Sequence, residues 1–314
     1  MKTLLKLLSA ALFLIIITII SSCTQPIIPQ GYALIYGVAD YGGANDLNYT
    51  DDDAEAFAGL LTAKGWDVRL RIDSEATLSQ LQTDVSDLSS IITAADRLLF
   101  YYSGHGVRLN LSNTEPSAAA NPYDEILLLY NSLSTVIDYA NGNQSADVLS
   151  VTVSDDSLAI LLAAVPAVSR MVILDSCYSG GFIGDGFTLD TTAADYIKYD
   201  FSSSFQPAET LSLYLAYSPS TNDLPQSSFS IMAASGENEE SYESPSIGHG
   251  YFTYFLLKSP SGADYNFDGY ISFIEAYKYT ALSIDAIVNT GNATYDYLPH
   301  IAAFPLDPVL FKAD

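Results

Sequence analysis

The chain has 314 residues, enough for one large or two small domains around a sizeable buried core. Hydrophobic residues make up 49% and charged ones only 16%, with 12 Lys and Arg against 37 Asp and Glu, for a formal net charge of −25. That balance excludes a nucleic-acid binder, which needs cations to displace phosphate counterions, and the evenly spread apolar residues exclude low-complexity disorder; it suits basic peptides, polyamines or divalent cations as partners, or simply an acidic, soluble surface.

Residues 1–23 read MKTLLKLLSAALFLIIITIISSC. Lys2 and Lys6 precede an apolar run from Leu7 to Ile20, and the small Ser21 and Ser22 precede Cys23, the layout of a secretory signal. Ile20-Ser21-Ser22-Cys23 resembles the lipobox of bacterial lipoproteins. The resemblance implies cleavage before Cys23, lipidation of that cysteine, and an exported protein anchored to a membrane on its periplasmic or cell-surface side. Thr24 replaces the Asp that usually retains lipoproteins at the inner membrane. Cleavage removes Lys2 and Lys6 and takes the net charge from −25 to −27. Residues 24–30 (TQPIIPQ) then form a short tether. Cys177 is left as a lone thiol in an exported protein, either buried and inert or kept for chemistry.

From Tyr32 the pattern alternates between buried strands and helices. Tyr32 to Val38 (YALIYGV) reads as a strand covered on both faces. Thr50 caps a helix from about Asp51 to Ala63, with Ala54, Phe57, Leu60 and Leu61 at helical spacing and Gly65 as its stop. Trp66 to Ile72 is the next strand, Thr77 to Thr93 an amphipathic helix, and Arg97 to Tyr102 (RLLFYY) a third buried strand. Residues 107–150 read as irregular, interrupted by Pro116 and Pro122, with a strand at Ile126 to Tyr130. The Asp124-Glu125 pair there reads either as a calcium ligand pair or as a solvated turn. Ser154 caps a helix to about Ala164, and Arg170 to Leu174 (RMVIL) is a fourth strand. Residues 183–228, rich in Ser, Asp and Thr, read as a mobile linker. Ser228 to Ala234 is a fifth strand, and Tyr251 to Lys258 opens another helix. The alternation predicts an α/β domain with a mostly parallel central sheet flanked by helices.

Two of these strands run into unusual turns. RLLFYY leads into Ser103-Gly104-His105-Gly106, and RMVIL into Asp175-Ser176-Cys177-Tyr178-Ser179-Gly180-Gly181. Sites in open parallel sheets form outside the carboxyl ends of the strands, so His105 and Cys177 belong on one edge. A thiol becomes a good nucleophile beside an imidazole, and the chain has only three histidines, His105, His249 and His300.

Residues 264–275 read DYNFDGYISFIE and match every constrained position of the EF-hand calcium loop. Asp264, Asn266 and Asp268 supply side-chain oxygens, Tyr270 its carbonyl, Ser272 an oxygen directly or through water, and Glu275 a bidentate carboxylate, while Gly269 makes the sharp turn. Calcium is therefore the expected cofactor. A single loop suggests a structural or modestly regulatory site.

YYSGHG followed by ILDSCYSGG is similar to the motifs of the caspase-like cysteine peptidases, in particular their metacaspase and bacterial caspase-domain branch. The similarity extends from about Gly31 to Lys258, through the Asp52-Asp53-Ala54 segment and the SIMAAS and GYFTYFLL stretches. It implies a three-layer caspase-like fold, with residues 31–260 as the catalytic domain and 261–314 as a calcium-loop and helical extension. It implies that Cys177 attacks the scissile carbonyl, that His105 transfers the proton, and that the N–H groups of Gly106 and Cys177 hold the oxyanion. It further implies an acidic pocket of Asp53, Ser103 and Asp175 that reads Arg or Lys before the scissile bond; the linker is either left uncut or, if the enzyme processes itself there, cut at Lys198, its one basic residue. The expected activity is endopeptidase cleavage after Arg or Lys. The alternatives are a non-catalytic calcium-binding surface module and a cysteine transpeptidase.

Overall fold

The computed structural model describes residues 28–110, 123–143, 147–167, 169–183, 229–236, 239–290, 297–303 and 307–314. The signal segment with Cys23, most of the tether, the prolines at 116 and 122, Lys198 and all but the first residue of the 183–228 linker lie outside them.

The elements in chain order are β1 (Gly31–Gly37), α1 (Thr50–Ala63), β2 (Asp67–Ile72), α2 (Leu78–Ile91), β3 (Arg97–Ser103), β4 (Gly106–Asn110), β5 (Tyr123–Leu127) and α3 (Leu133–Ala140). They continue with β6 (Val153–Ser154), α4 (Asp155–Ala163), β7 (Ser169–Asp175), β8 (Ser230–Ala233), β9 (Glu243–Ser244) and β10 (His249–Gly250). The last are α5 (Tyr251–Leu256), β11 (Tyr270–Ser272), α6 (Phe273–Ile284), β12 (His300–Ala302) and β13 (Val309–Lys312). Among the described residues the central sheet has six strands in the order β12-β8-β7-β3-β1-β2. Five run parallel, and β12 pairs antiparallel with β8 at the edge.

Side chains alternate across a strand, and the two faces collect different helices. Ala33, Ile35, Leu99, Tyr101, Met171 and Ile173 pack against Phe57 and Leu61 of α1, Phe252 and Leu256 of α5, and Phe273 of α6. Leu34, Tyr36, Leu98, Phe100, Val172 and Leu174 meet Leu81, Val85 and Leu88 of α2 and Leu158 and Leu162 of α4. This is the expected sheet with helices on both faces. It explains why the strands read as continuous apolar runs: every residue of β3 is buried.

Three expectations need correction. Thr50 is the first residue of α1, not its cap; its hydroxyl instead donates to the Val38 carbonyl at 2.6 Å, tying the helix start to the end of β1. Glu243, nearly two hundred residues away, accepts from the N–H groups of Asn48 and Tyr49 at 3.0–3.1 Å just ahead of the helix, where a negative charge is favoured. The described residues within 107–150 hold regular structure: β4 and β5 join β6 in a small antiparallel sheet, and α3 follows β5. The strand expected at Ile126 to Tyr130 lies at Tyr123–Leu127, and Glu125 within it is buried against Arg108 at 3.1 Å rather than solvated. Ser154, by contrast, caps α4 as expected, its hydroxyl accepting from Ser157 N.

Candidate active site

The central strands are in register, so that Gly37 of β1, Ser103 of β3 and Asp175 of β7 end side by side. The first turn of α1 carries Asp53 to the same edge. The three residues expected to form an acidic pocket thus stand together: Ser103 Oγ donates to Asp53 Oδ2 at 3.3 Å, and all three are buried.

The chain supplies donors to both carboxylates. Asp53 Oδ1 lies 2.7 Å from His249 Nδ1, and the Gly250 N–H donates to both of its oxygens at 3.1–3.2 Å. Asp175 Oδ1 accepts from Ser241 Oγ at 2.7 Å, and Oδ2 accepts from Thr253 N at 3.1 Å and Thr253 Oγ1 at 2.7 Å. Gly250 must be glycine here, because a Cβ would stand 2.7 Å from Asp175 Oδ2 and 3.0 Å from Asp53 Oδ2. Burial, reinforced by the neighbouring Asp175 charge, pushes the Asp53 carboxyl up to about 7. Burial likewise raises Asp175, and the hydrogen bond to Asp53 raises the His249 imidazole.

Past β3, the backbone of His105 is held by two tyrosines. Its N–H donates to Tyr41 Oη, and its carbonyl accepts from Tyr102 Oη, each at 2.9 Å. Nε2 lies 2.8 Å from the Asn45 carbonyl. A carbonyl only accepts, so this contact calls for a hydrogen on Nε2. Gly106, next in sequence, leaves no room for a side chain: a Cβ there would sit 2.1 Å from the Cys177 carbonyl. The two motifs therefore meet backbone to backbone.

Cys177 follows the end of β7 by two residues, on a turn that puts Tyr178 at φ 60°, a conformation side chains seldom adopt. The Tyr178 N–H donates to the Glu239 carbonyl at 2.8 Å, and Cys177 Sγ lies 3.8 Å from the Ser241 carbonyl. The thiol is free and half-buried. Burial, with the Glu240 and Asp175 charges, pushes it above its ordinary range, so it needs a base to react at neutral pH.

The 264–275 loop turns through Gly269 at φ 83°, and its Asp264, Asn266 and Asp268 side chains accept from backbone N–H groups of the loop. Glu275 Oε2 accepts from Ser272 N and Oε1 from Tyr265 N and Asn266 N, so this carboxylate caps α6. Among the described residues, no group of three or more His, Cys, Asp or Glu side chains is gathered closely enough to hold a metal ion. Asp307, which the sequence reading did not single out, accepts from Ile274 N at 2.9 Å beside this loop.

Asn45, Tyr41 and Ser241 carry no motif signal, Thr253 enters only as part of the GYFTYFLL stretch, and His249 only as one of three histidines. Among the described residues no helix is long and apolar enough to cross a membrane. No curated protein matches the chain. A solved structure, that of protein GSU0716 from Geobacter sulfurreducens, shares the fold at 20% identity with a TM-score of 0.54, covering 87% of this chain and 92% of its own. Residues 30–266, which hold the His105 and Cys177 turns and the acidic cluster, match the caspase domain, and the chain belongs to that family.

Proposed function

We propose that the protein is a cysteine endopeptidase that cuts after Arg or Lys. The observation that carries this reading is the pairing of two buried carboxylates, Asp53 and Asp175, with the His105 and Cys177 turns on one sheet edge. A guanidinium or ammonium entering beside Asp53 and Asp175 finds negative charge in a desolvated setting, where Coulomb attraction is several times stronger than in water. Cys177 Sγ gives its proton to His105 Nδ1 and attacks the carbonyl carbon. The oxyanion forms between the N–H groups of Gly106 and Cys177. The imidazolium then protonates the leaving amine as the C–N bond breaks, and water, deprotonated by His105, hydrolyses the thioester and restores the thiol.

We further propose that residues 264–275 hold calcium through Asp264, Asn266, Asp268, the Tyr270 carbonyl, Ser272 and Glu275. The donor set is all oxygen, as this hard cation prefers, and Gly269 supplies the required turn. When bound, calcium would tie the loop to α6 as a structural clamp. The export reading places the protein outside the cytoplasm on a Cys23 lipid anchor, and self-cleavage, where it occurs, would fall at Lys198.

The test uses the chain from Thr24 onward beside its Cys177→Ala variant, with fluorogenic peptides ending in Arg, Lys or Asp, in calcium and then in chelator. Cleavage after Arg and Lys that vanishes in the variant is the expected result. No cleavage of any peptide by a protein that still binds calcium would instead favour a binding module.

A further inference from the structure

We propose that Tyr41 and Asp46, in the loop between β1 and α1, are the positioning residues of His105, fixing its orientation and the nitrogen through which it takes the thiol proton. The inference deepens the peptidase reading and rests on the Cys177–His105 pair. Three contacts converge on this one histidine. Asn45 holds Nε2 through its carbonyl, Tyr41 Oη accepts the His105 N–H, and the Tyr41 ring lies against the imidazole with centroids 4.6 Å apart. The Tyr41 hydroxyl donates in turn to the Leu128 carbonyl at 2.9 Å, so both of its roles are in use. Burial pushes that hydroxyl far above the phenol range, so it keeps its proton at any working pH.

Asp46 touches neither His105 nor the thiol, yet it builds the loop. Its Oδ1 accepts from Tyr41 N at 2.8 Å and Gly43 N at 3.0 Å, and Leu47 N donates to the Ala39 carbonyl, closing the turn that presents the Asn45 carbonyl. The loop's base is pinned separately by Asp73 Oδ1, which accepts from Ala39 N and Asp40 N at 2.8–2.9 Å. Gly42 and Gly43, at φ 88° and 110°, allow the turn. A loop of this size held at both ends serves to place one carbonyl, and that carbonyl faces the imidazole. When Sγ passes its hydrogen to Nδ1, the charge that develops on the ring is shared through the Nε2–H bond to Asn45. Loosening the loop therefore weakens the thiolate–imidazolium state without touching the substrate.

The experiment reads alkylation of Cys177 by iodoacetamide from about pH 5.5 to about pH 9, together with kcat and KM for an Arg peptide. It uses the chain from Thr24 onward and the His105→Ala, Tyr41→Phe, Asp46→Ala and Asp46→Asn variants. Tyr41→Phe and Asp46→Ala should slow alkylation near neutral pH by roughly three- to tenfold and kcat by roughly tenfold, the size of one lost buried hydrogen bond, with KM within about twofold. The gap to wild type should narrow steadily as pH rises towards about 9, as hydroxide increasingly takes the thiol proton in place of His105. Asp46→Asn, which keeps the accepting oxygen, should recover most of the loss and covers the case in which another variant folds poorly. If His105→Ala slows alkylation and the loop variants do not, the inference is wrong while the dyad stands. A slowing equal at all pH values marks general distortion and also overturns it. If His105→Ala changes nothing, the dyad reading fails and takes this inference with it.

Discussion

Asp53 offers a case in which a single substitution should trade function for stability. In the fold its carboxyl titrates at about 7 instead of near 3.8, chiefly because burial disfavours the charged form. The folded state thus binds this proton more tightly than the unfolded chain. Its advantage is complete below about pH 3.8 and is lost progressively as pH rises towards 7. Raising the carboxyl from 3.8 to about 7 corresponds to an upper limit of about 4 kcal/mol. His249 acts in the same direction: its raised value favours the folded state below about pH 6.5, and that benefit fades as pH climbs through the folded value. Asparagine fits the site with its oxygen towards His249 Nδ1 and its amide towards Ser103 Oγ, which can turn to accept. Urea unfolding of wild type and Asp53→Asn should agree within about 1 kcal/mol at pH 4, where the wild-type acid is neutral. At pH 8 the variant should be more stable by about 2–4 kcal/mol, while kcat/KM for an Arg peptide relative to its uncharged citrulline analogue falls roughly tenfold or more. Citrulline cancels any titration of the thiol and imidazole. A stability difference that is the same at both pH values, or a variant weaker at pH 8, would refute the reasoning.

Gly250→Ala should cost roughly a hundredfold in kcat/KM for Arg peptides, because its methyl must displace one of the two carboxylates; steady-state kinetics with circular dichroism as a fold control checks this. Calcium at about a hundred times its dissociation constant should stabilise the wild type by about 2.7 kcal/mol, and Glu275→Gln should lose most of that gain, read as the midpoint shift between calcium and chelator. Asp84→Ala should destabilise by about 3–5 kcal/mol, since it strands Arg71, Arg69 and Tyr36 around a buried site. In the wild type these partners outweigh burial and hold Asp84 below its ordinary value. Its contribution is therefore present above about pH 3.8 and lost as pH falls through the lower folded value, which acid titration of unfolding would detect.

The central sheet was legible in the sequence because parallel strands covered on both faces need unbroken apolar runs. YALIYGV, RLLFYY and RMVIL could hardly be anything else, and the strand-end rule put the His105 and Cys177 turns on one edge. Ser154 was legible for the same local reason, since a cap acts across three residues. The irregular look of 107–150 misled because the order of β4 and β5 comes from antiparallel pairing with each other and with β6, not from local propensity. The support ahead of α1 was invisible, since Glu243, which accepts from Asn48 and Tyr49, is nearly two hundred residues away in sequence. So was the way the acidic cluster is partnered: Ser241 and His249 lie in a segment without periodic pattern, and although Gly250 and Thr253 belong to the legible GYFTYFLL stretch, only the tertiary fold lays them against Asp53 and Asp175.

Asp84 and the Asp53–Asp175 pair are similarly buried carboxylates with opposite kinds of partner. Asp84 is buried at 1% exposure and is met by Arg71 through two contacts of 2.7–2.8 Å, with Tyr36 and Gln80 completing its shell. Its charge is neutralised within the fold, and its affinity for protons falls. Asp53 and Asp175 are buried as deeply but are met by hydroxyls, backbone N–H groups and one imidazole, and their affinity for protons rises. The chain has arginines available, and places two of them at Asp84 instead of here. A buried carboxylate without a permanent cation is costly to the fold, by the amount that Asp53→Asn should recover. On the proposed reading that cost is offset when a substrate's guanidinium or ammonium arrives; until then Asp53 shares its charge with the His249 imidazole, while Asp175 has only hydroxyl and N–H partners.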